Sequence, residues 1–98
     1  MTTSVNITKC DNELYVIATT GAGTSEICHI TSGYFDPVAY QVKLNSILPA
    51  GSYDLTLIGI NWGGPAAFSV NVGGKDYTYN NQSAPVGVVW TQTIQVKI

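Results

Sequence analysis

Eight consecutive residues of this chain, positions 38–45, read VAYQVKLN and alternate large apolar side chains with Ala39 and three polar ones. Successive residues of a β-strand point to opposite faces of the sheet, so this alternation predicts a strand with one buried and one exposed face. The same pattern recurs at 68–72 and along 86–98, where Gln92 interrupts the apolar face. A bulge at Gln92, or a buried amide with hydrogen-bond partners, would account for that interruption.

Working outward from these segments, we predict about eight short strands and no substantial helix. The expected spans are 4–10, 13–19, 25–31, 38–45, 53–61, 66–72, 75–80 and 86–97. Short antiparallel strands in so small a chain are most economically arranged as a β-sandwich, either jelly-roll-like or Greek key. A partly closed barrel is the alternative to this all-β sandwich.

Glycines mark two features of the predicted sheet. The stretch 20–24 reads TGAGT and predicts a hairpin turn. With a register symmetric about Ala22, the expected cross-strand pairs are Leu14 with Ile30, Tyr15 with His29, and Val16 with Cys28. Gly59 interrupts the strand at 53–61 and so indicates a kink or a bulge there.

The composition restricts the classes of function. The 98 residues, 10.4 kDa, suffice for a single domain spanning 1–98. Only 10% of the residues are charged, Arg is absent and the formal net charge is -2, which argues against nucleic-acid binding and a basic membrane patch. No run approaches the roughly 18 apolar residues of a membrane span. Since the N-terminus has no secretory signal pattern, we expect a cytoplasmic protein, with release by a non-classical route left open.

The reactive side chains do not form a catalytic motif. His29 is the single histidine, and no serine lies in a nucleophile-elbow sequence. Cys10 and Cys28 are expected to be free thiols and, together with His29, lack the close spacing of a zinc site. The six acidic residues are scattered along the chain rather than paired for glycoside chemistry. We therefore expect no enzyme activity and no bound cofactor.

One group of oxygen ligands leaves calcium as an open alternative. Asp76, Asn80 and Asn81 form the densest set of carboxylate and amide oxygens in the sequence. Calcium takes six to eight such ligands, so one carboxylate with amides would hold the ion weakly. Ordinary structural roles for these residues are favoured over a metal site.

Aromatic residues in loops are the most informative set for function. Trp62 lies in the turn 61–65, NWGGP, and Tyr34 lies beside Phe35 and Asp36 in a second loop. An exposed ring beside amides and carboxylates is suited to sugars, because the ring packs on the C–H face while polar groups bind the hydroxyls. The candidate ligand-binding residues are Tyr34, Asp36, Asn61, Trp62, Asp76, Asn80 and Asn81. The alternative is that Trp62 caps the end of the core.

Two segments resemble a known family. Residues 51–58 read GSYDLTLI and residues 68–76 read FSVNVGGKD, which is similar to the C-terminal hairpin of the small, soluble, galactose-binding bacterial lectins. The resemblance covers about a quarter of the chain and implies a β-sandwich that binds sugar through calcium. Where those lectins carry a long calcium loop, this chain has only NWGGPA at 61–66. The resemblance therefore implies the fold without the calcium mechanism.

These observations favour a non-catalytic, lectin-like module that binds a carbohydrate or glycoconjugate. Weak single sites gain from multivalency, so a homo-oligomer is expected. The first alternative is a structural or self-assembling β protein, since the surface has few charges and the segment 86–90 is apolar on both faces. The second is an accessory subunit that binds a protein partner.

Overall fold

The fold is all-β and antiparallel, as the alternation of side chains predicts. A computed structural model describes residues 3–33 and 36–98. Within these ranges lie seven strands: β1 Ser4–Thr20, β2 Gly23–Ser32, β3 Tyr40–Lys43, β4 Ser52–Asn61, β5 Ala66–Val72, β6 Lys75–Asn81 and β7 Gly87–Lys97. The single helical element among them is a 3-10 turn, Leu44–Ser46. No helix in the described chain is long and apolar enough to cross a membrane.

The 17-residue strand β1 organises the sheet. Its first half pairs with β3 and β5, and its second half pairs with β2 and β4. β6 then pairs with β5, and β7 pairs with β4. We call β3, β5, β6 and the first half of β1 half-sheet A, and β2, β4, β7 and the second half of β1 half-sheet B. Together they form one antiparallel sheet that curls into a half-barrel.

The predicted break between strands 4–10 and 13–19 is wrong, because β1 continues through this region. Asp11 pairs with Ala67 of β5, and Asn12 pairs with Ser32 of β2, so the chain passes directly from one half-sheet to the other. The Asn12 amide donates a hydrogen bond to the Asp11 carboxylate. The two polar side chains thus satisfy each other within a strand, and the described strands number seven rather than eight.

The predicted hairpin register is confirmed around Tyr15, although the turn differs. Leu14 pairs with Ile30, Tyr15 with His29, and Val16 with Cys28. Thr20 pairs with Gly23, so the turn has two residues rather than being centred on Ala22. A register shift after Val16 compensates for the shorter turn. Ile17 pairs with Glu26, so Ile27 is the extra, unpaired residue of β2.

The bulge expected at Gln92 lies instead three residues earlier. Gly59 pairs with Trp90 while Ile60 pairs with Val88, so Val89 is the extra residue of β7. Gln92 keeps the alternation and lies half-buried on the same face as Trp90. The bulge expected at Gly59 lies on the partner strand, because the register shift falls directly after Gly59 but its extra residue belongs to β7, and β4 keeps its alternation.

The inner faces of the two half-sheets share one core around Phe68. Its ring stacks on Trp90 of β7, with centroids 5.6 Å apart and planes 14° from parallel. Gly59 of β4 lies so close that an added Cβ would be 2.6 Å from Cε2 of Phe68. A glycine is therefore required where β4 passes the Phe68 ring. The fully buried neighbours include Ile7, Leu14, Leu55, Leu57 and Val70.

Candidate functional site

Trp62 is the most exposed aromatic residue within residues 3–33 and 36–98. It follows β4 in the turn to β5, and 64% of it is exposed. Its backbone N–H donates a 2.7 Å hydrogen bond to Oδ1 of Asn12. Gly64, with φ +72°, adopts a left-handed conformation that suits glycine, which lets the chain reverse behind the indole. Trp62 therefore does not cap the core but projects from it.

Asn61 holds this turn rather than facing a ligand. It is fully buried, and its amide nitrogen lies 3.0 Å from the carbonyl of Gly64, 3.2 Å from that of Ala84 and 3.1 Å from that of Pro85. Its Oδ1 accepts a 3.2 Å hydrogen bond from the N–H of Gly63. Both the nitrogen and the oxygen of the amide therefore have backbone partners. This corrects the prediction that Asn61 contacts a ligand, because the side chain has a structural role.

The carboxylate of Glu13 joins the exposed indole to the imidazole of His29. Its Oε1 accepts a 2.9 Å hydrogen bond from Nε1 of Trp62, and its Oε2 lies 2.5 Å from Nε2 of His29. The His29 ring in turn stacks on Tyr15, with centroids 4.0 Å apart and planes 5° from parallel. We call Glu13, Tyr15, His29 and Trp62 the Trp62 cluster. The hydrogen bonds and the ring stacking of this cluster hold the exposed indole of Trp62 in one orientation.

Electrostatics favour the ionised form of Glu13. The hydrogen bond from Trp62, followed by that from His29, lowers the pKa of the Glu13 carboxyl below its ordinary value of 4.5. The side chain of Glu13 remains 14% exposed and that of His29 38% exposed. Both side chains therefore keep some surface that a bound molecule can contact.

The outer faces of the two half-sheets differ in the region around the Trp62 cluster. The outward residues of half-sheet A are mostly polar: Asn6, Ser69, Asn71, Asp76, Thr78 and Asn80. The outward residues of half-sheet B that flank the Trp62 cluster are apolar: Ile17, Ile58, Ile60 and Val88. Val88 is 61% exposed. The Trp62 cluster thus lies at the end of the more apolar outer face. An organic ligand bound there would cover apolar rather than polar protein surface, so the free-energy cost of desolvation would be smallest.

The remaining predicted site residues do not join Trp62. Asp36 is exposed and accepts a 3.2 Å hydrogen bond from the N–H of Gly33, and Tyr34 lies outside the described residues. Asp76 accepts a 2.8 Å hydrogen bond from Asn71 across the β5–β6 hairpin. Asn81 donates to the hydroxyl of Tyr79. These contacts give Asp36, Asp76 and Asn81 local roles.

Strand geometry also separates the predicted oxygen ligands. Asp76 and Asn80 share the exposed face of β6, but four residues of strand place them about 13 Å apart. Asn81 points to the opposite face. Calcium ligands lie about 2.3–2.6 Å from the ion, so these three side chains do not fit one site. Within residues 3–33 and 36–98, no group of three or more His, Cys, Asp or Glu side chains could hold a metal ion.

The two cysteines are free and buried, as expected for thiols without a disulfide. Burial raises the pKa of Cys10 to about 12 and that of Cys28 to about 11. Sγ of Cys10 donates a 3.3 Å hydrogen bond to the carbonyl of Ile30. Neither thiol is poised as a nucleophile, since the reactive thiolate is disfavoured at neutral pH.

An open groove lies at the other end of half-sheet B. It encloses about 500 Å³ between the β1–β2 turn and the ends of β4 and β7, and Asp54 and Lys97 line it. Its one aromatic residue, Tyr53, donates its hydroxyl to the carbonyl of Pro49 at 2.6 Å. The ring of Tyr53 is only half-exposed, whereas 64% of Trp62 is exposed, which makes the Trp62 cluster the stronger candidate.

Sequence reasoning predicted an exposed Trp62 at a turn but missed the residues that orient it. Glu13 and Asn12 lie 49 and 50 positions away from Trp62. The available signal was the hairpin register, which places Tyr15 opposite His29 and Glu13 on the same face as Tyr15. Comparisons with protein-family models, curated proteins and solved structures found no match to this chain.

Proposed function

We propose that this protein is a non-catalytic, lectin-like module that binds carbohydrate at the Trp62 cluster. The observation that carries the proposal is the side chain of Trp62. The residue is 64% exposed, and the Nε1–H of its indole donates a hydrogen bond to Glu13. A ring held in one orientation loses little conformational entropy when a ligand stacks on it. Trp62 therefore acts as a preorganised platform for the apolar C–H face of a sugar.

Polar groups beside the platform can bind the sugar hydroxyls. Each carboxylate oxygen has two lone-pair directions, so Glu13 can accept further hydrogen bonds while it holds Trp62 and His29. The negative charge of Glu13 and the net charge of -2 disfavour acidic sugars. Neutral sugars are accordingly the ligand class that we propose.

The proposal places the ligand on a scaffold rather than in a reaction centre. In this proposal, half-sheets A and B act as the two layers of a jelly-roll-like or Greek-key sandwich, and its connecting turns present the ligand site. Glycoside hydrolysis requires two carboxyl groups flanking the scissile bond. Glu13 is the one carboxyl group among the four residues of the Trp62 cluster, which supports binding without catalysis.

A glycan array followed by isothermal titration calorimetry, with and without calcium, tests this proposal. The variant Trp62→Ala is expected to abolish binding of a neutral glycan. The control Ile47→Ala removes another exposed apolar side chain, 52% exposed, from outside the cluster and is expected to bind normally. Absence of glycan binding at millimolar sugar, or unchanged affinity in Trp62→Ala, would overturn the proposal.

One observation favours a second candidate function, which is docking to a protein partner or self-assembly. Val86 and Val88 are 66% and 61% exposed, and Val88 lies beside Ile60 on the outer face of half-sheet B. Exposed large apolar side chains that form a patch often mark protein interfaces. Binding of a homo-oligomer to glycans would combine both functions, because several weak sites act together.

A further inference from the structure

The curled sheet leaves four strands with one edge unpaired. In the described chain, β2 and β3 pair only with β1, β6 pairs only with β5, and β7 pairs only with β4. An unpaired edge presents backbone N–H and C=O groups to which another strand can bond. Proteins commonly block such edges with charges, bulges or short strands.

Three of these edges carry such protection, whereas β7 carries little. β3 has four residues, β2 has a register shift near its middle and the charge of Glu26, and β6 begins with Lys75 and Asp76. β7 has eleven residues, and its only charged residue is Lys97 at the end. Its irregularity lies near its start, at Val89, so residues 90–96 form a regular, uncharged edge.

We propose that residues 90–96 of β7 pair antiparallel with the same residues of a second copy of this chain. A two-fold axis at Thr93 places Thr93 opposite itself and Thr91 opposite Gln95 on the outer face. On the inner face, Trp90 lies opposite Val96 and Gln92 lies opposite Ile94. No like charges oppose each other, and Thr–Thr and aromatic–β-branched pairs are favourable neighbours across antiparallel strands.

A groove beside this edge supports the same occupant. It encloses about 280 Å³ between β6 and β7, and its lining includes Val72, Tyr77, Ile94 and Val96. A strand added to β7 would extend half-sheet B alongside this apolar lining. The edge thus offers both backbone hydrogen bonds and apolar contact to the added strand.

The pairing has a consequence for ligand binding, which rests on the proposed function. The two-fold axis of an antiparallel edge-to-edge pair is perpendicular to the sheet, so the outer faces of both copies point the same way. The dimer would therefore present its two Trp62 clusters on one side. Two sites on one side can engage a surface that carries many glycans at the same time.

Sedimentation across a concentration series tests the interface with two matched variants. Thr93→Lys places two lysines next to each other at the two-fold axis, and we expect at least a ten-fold weaker dimer. Thr78→Lys makes the same change on the exposed face of the β6 edge and is expected to leave the dimer intact. Circular dichroism checks that both variants keep the β fold, and amide hydrogen exchange is expected to show concentration-dependent protection of β7.

The outcomes separate this proposal from the proposed function. A strictly monomeric protein at millimolar concentration, or a dimer that Thr78→Lys disrupts and Thr93→Lys does not, would overturn the β7 interface. Thr93→Lys should weaken binding to a dense glycan surface while leaving the affinity for a soluble monovalent sugar unchanged. Trp62→Ala should remove sugar binding while leaving the dimer intact.

Discussion

The indole nitrogen of Trp62 donates a 2.9 Å hydrogen bond to Oε1 of Glu13, a residue 49 positions earlier in the chain. This bond joins the β4–β5 turn to the middle of β1, which pairs with four other strands. The exposed ring is therefore oriented from the most constrained strand of the sheet. Positioning of a binding residue by a rigid strand, rather than by its own loop, favours preorganisation.

Removing the Glu13 carboxylate should release the Trp62 ring. In Glu13→Ala, both hydrogen bonds of the cluster are lost, so the ring samples more orientations and glycan affinity falls several-fold. The measurement is the NMR order parameter of the Trp62 indole N–H, which we expect to decrease while that of Trp90 stays constant. Glu26→Ala, which removes an exposed acid from β2, is the control. An unchanged order parameter in Glu13→Ala would contradict the proposed role of the carboxylate.

The protonation of Glu13 should occur at lower pH than that of an ordinary glutamate. Hydrogen bonds from Trp62 and His29 stabilise its charged form, so its pKa in the folded protein lies below 4.5. This contribution to stability is present at pH values above 4.5 and is lost as the pH falls through the lowered pKa. Carboxyl ¹³C chemical shifts recorded against pH should show the shifted midpoint.

A variant checks the cause of this pKa shift. Trp62→Phe removes the indole donor and should return the midpoint toward 4.5, because that hydrogen bond is the largest contribution to the lowering. A Glu13 midpoint at or above 4.5 in the unmodified protein would show that the carboxylate is not stabilised as the structure indicates.

Asn61 should contribute more to stability than any exposed asparagine. Asn61→Ala leaves three carbonyl oxygens without the amide donor, and a buried unsatisfied group costs about 1–3 kcal/mol. Asn61→Asp should be worse at neutral pH, since it directs a carboxylate at those carbonyls. Urea unfolding measures both, with Asn80→Asp on the exposed face of β6 as the control. Equal stability of Asn61→Asp and the control would exclude the structural role.

Gly59→Ala should destabilise the fold by overpacking. The added methyl group would lie 2.6 Å from Cε2 and 2.8 Å from Cζ of Phe68, so the ring or β4 must shift. Overpacking of this kind costs about 1–3 kcal/mol. In a domain of this size, each kcal/mol lowers the melting temperature by about 4–8 °C.

The control for this prediction is Gly21→Ala. An added Cβ at Gly21 meets nothing within 4 Å, and Gly21 is not among the glycines with positive φ. Thermal unfolding should therefore separate the two alanine variants clearly. A melting temperature of Gly59→Ala equal to that of Gly21→Ala would show that the sheet accommodates the methyl group without strain.

Local pattern was sufficient to predict the β2 hairpin and the faces of its strands. The pairing of Tyr15 with His29 follows from a short glycine-containing turn and from the alternation of side chains every second residue. Both signals lie within one segment of fewer than about 20 residues. The two-residue turn shifts the register by one residue relative to a turn centred on Ala22, and the bulge near Ile27 shifts it back. The predicted pairs beyond the bulge therefore still hold. Local deviations of this kind are not visible in a polar–apolar alternation.

The candidate site could be predicted only in part, because its contacts join distant parts of the chain. The glycine-rich turn marks Trp62 as exposed, but nothing near it indicates Glu13 as its partner. The Asn61 amide could bind a ligand, but its nitrogen donates instead to the carbonyls of Ala84 and Pro85, which lie 23 and 24 residues further along the chain. Which polar side chains remain free for a ligand depends on such long-range contacts.

The two tryptophans of this chain allow one measurement to test the central claim directly. Titration of a neutral glycan into ¹⁵N-labelled protein reports on both indole N–H groups, one exposed and one stacked on Phe68. Our account predicts that the Trp62 indole signal shifts and saturates with ligand while the Trp90 signal stays in place. A saturable shift confined to residues away from Trp62, or no shift with any neutral glycan, would contradict it.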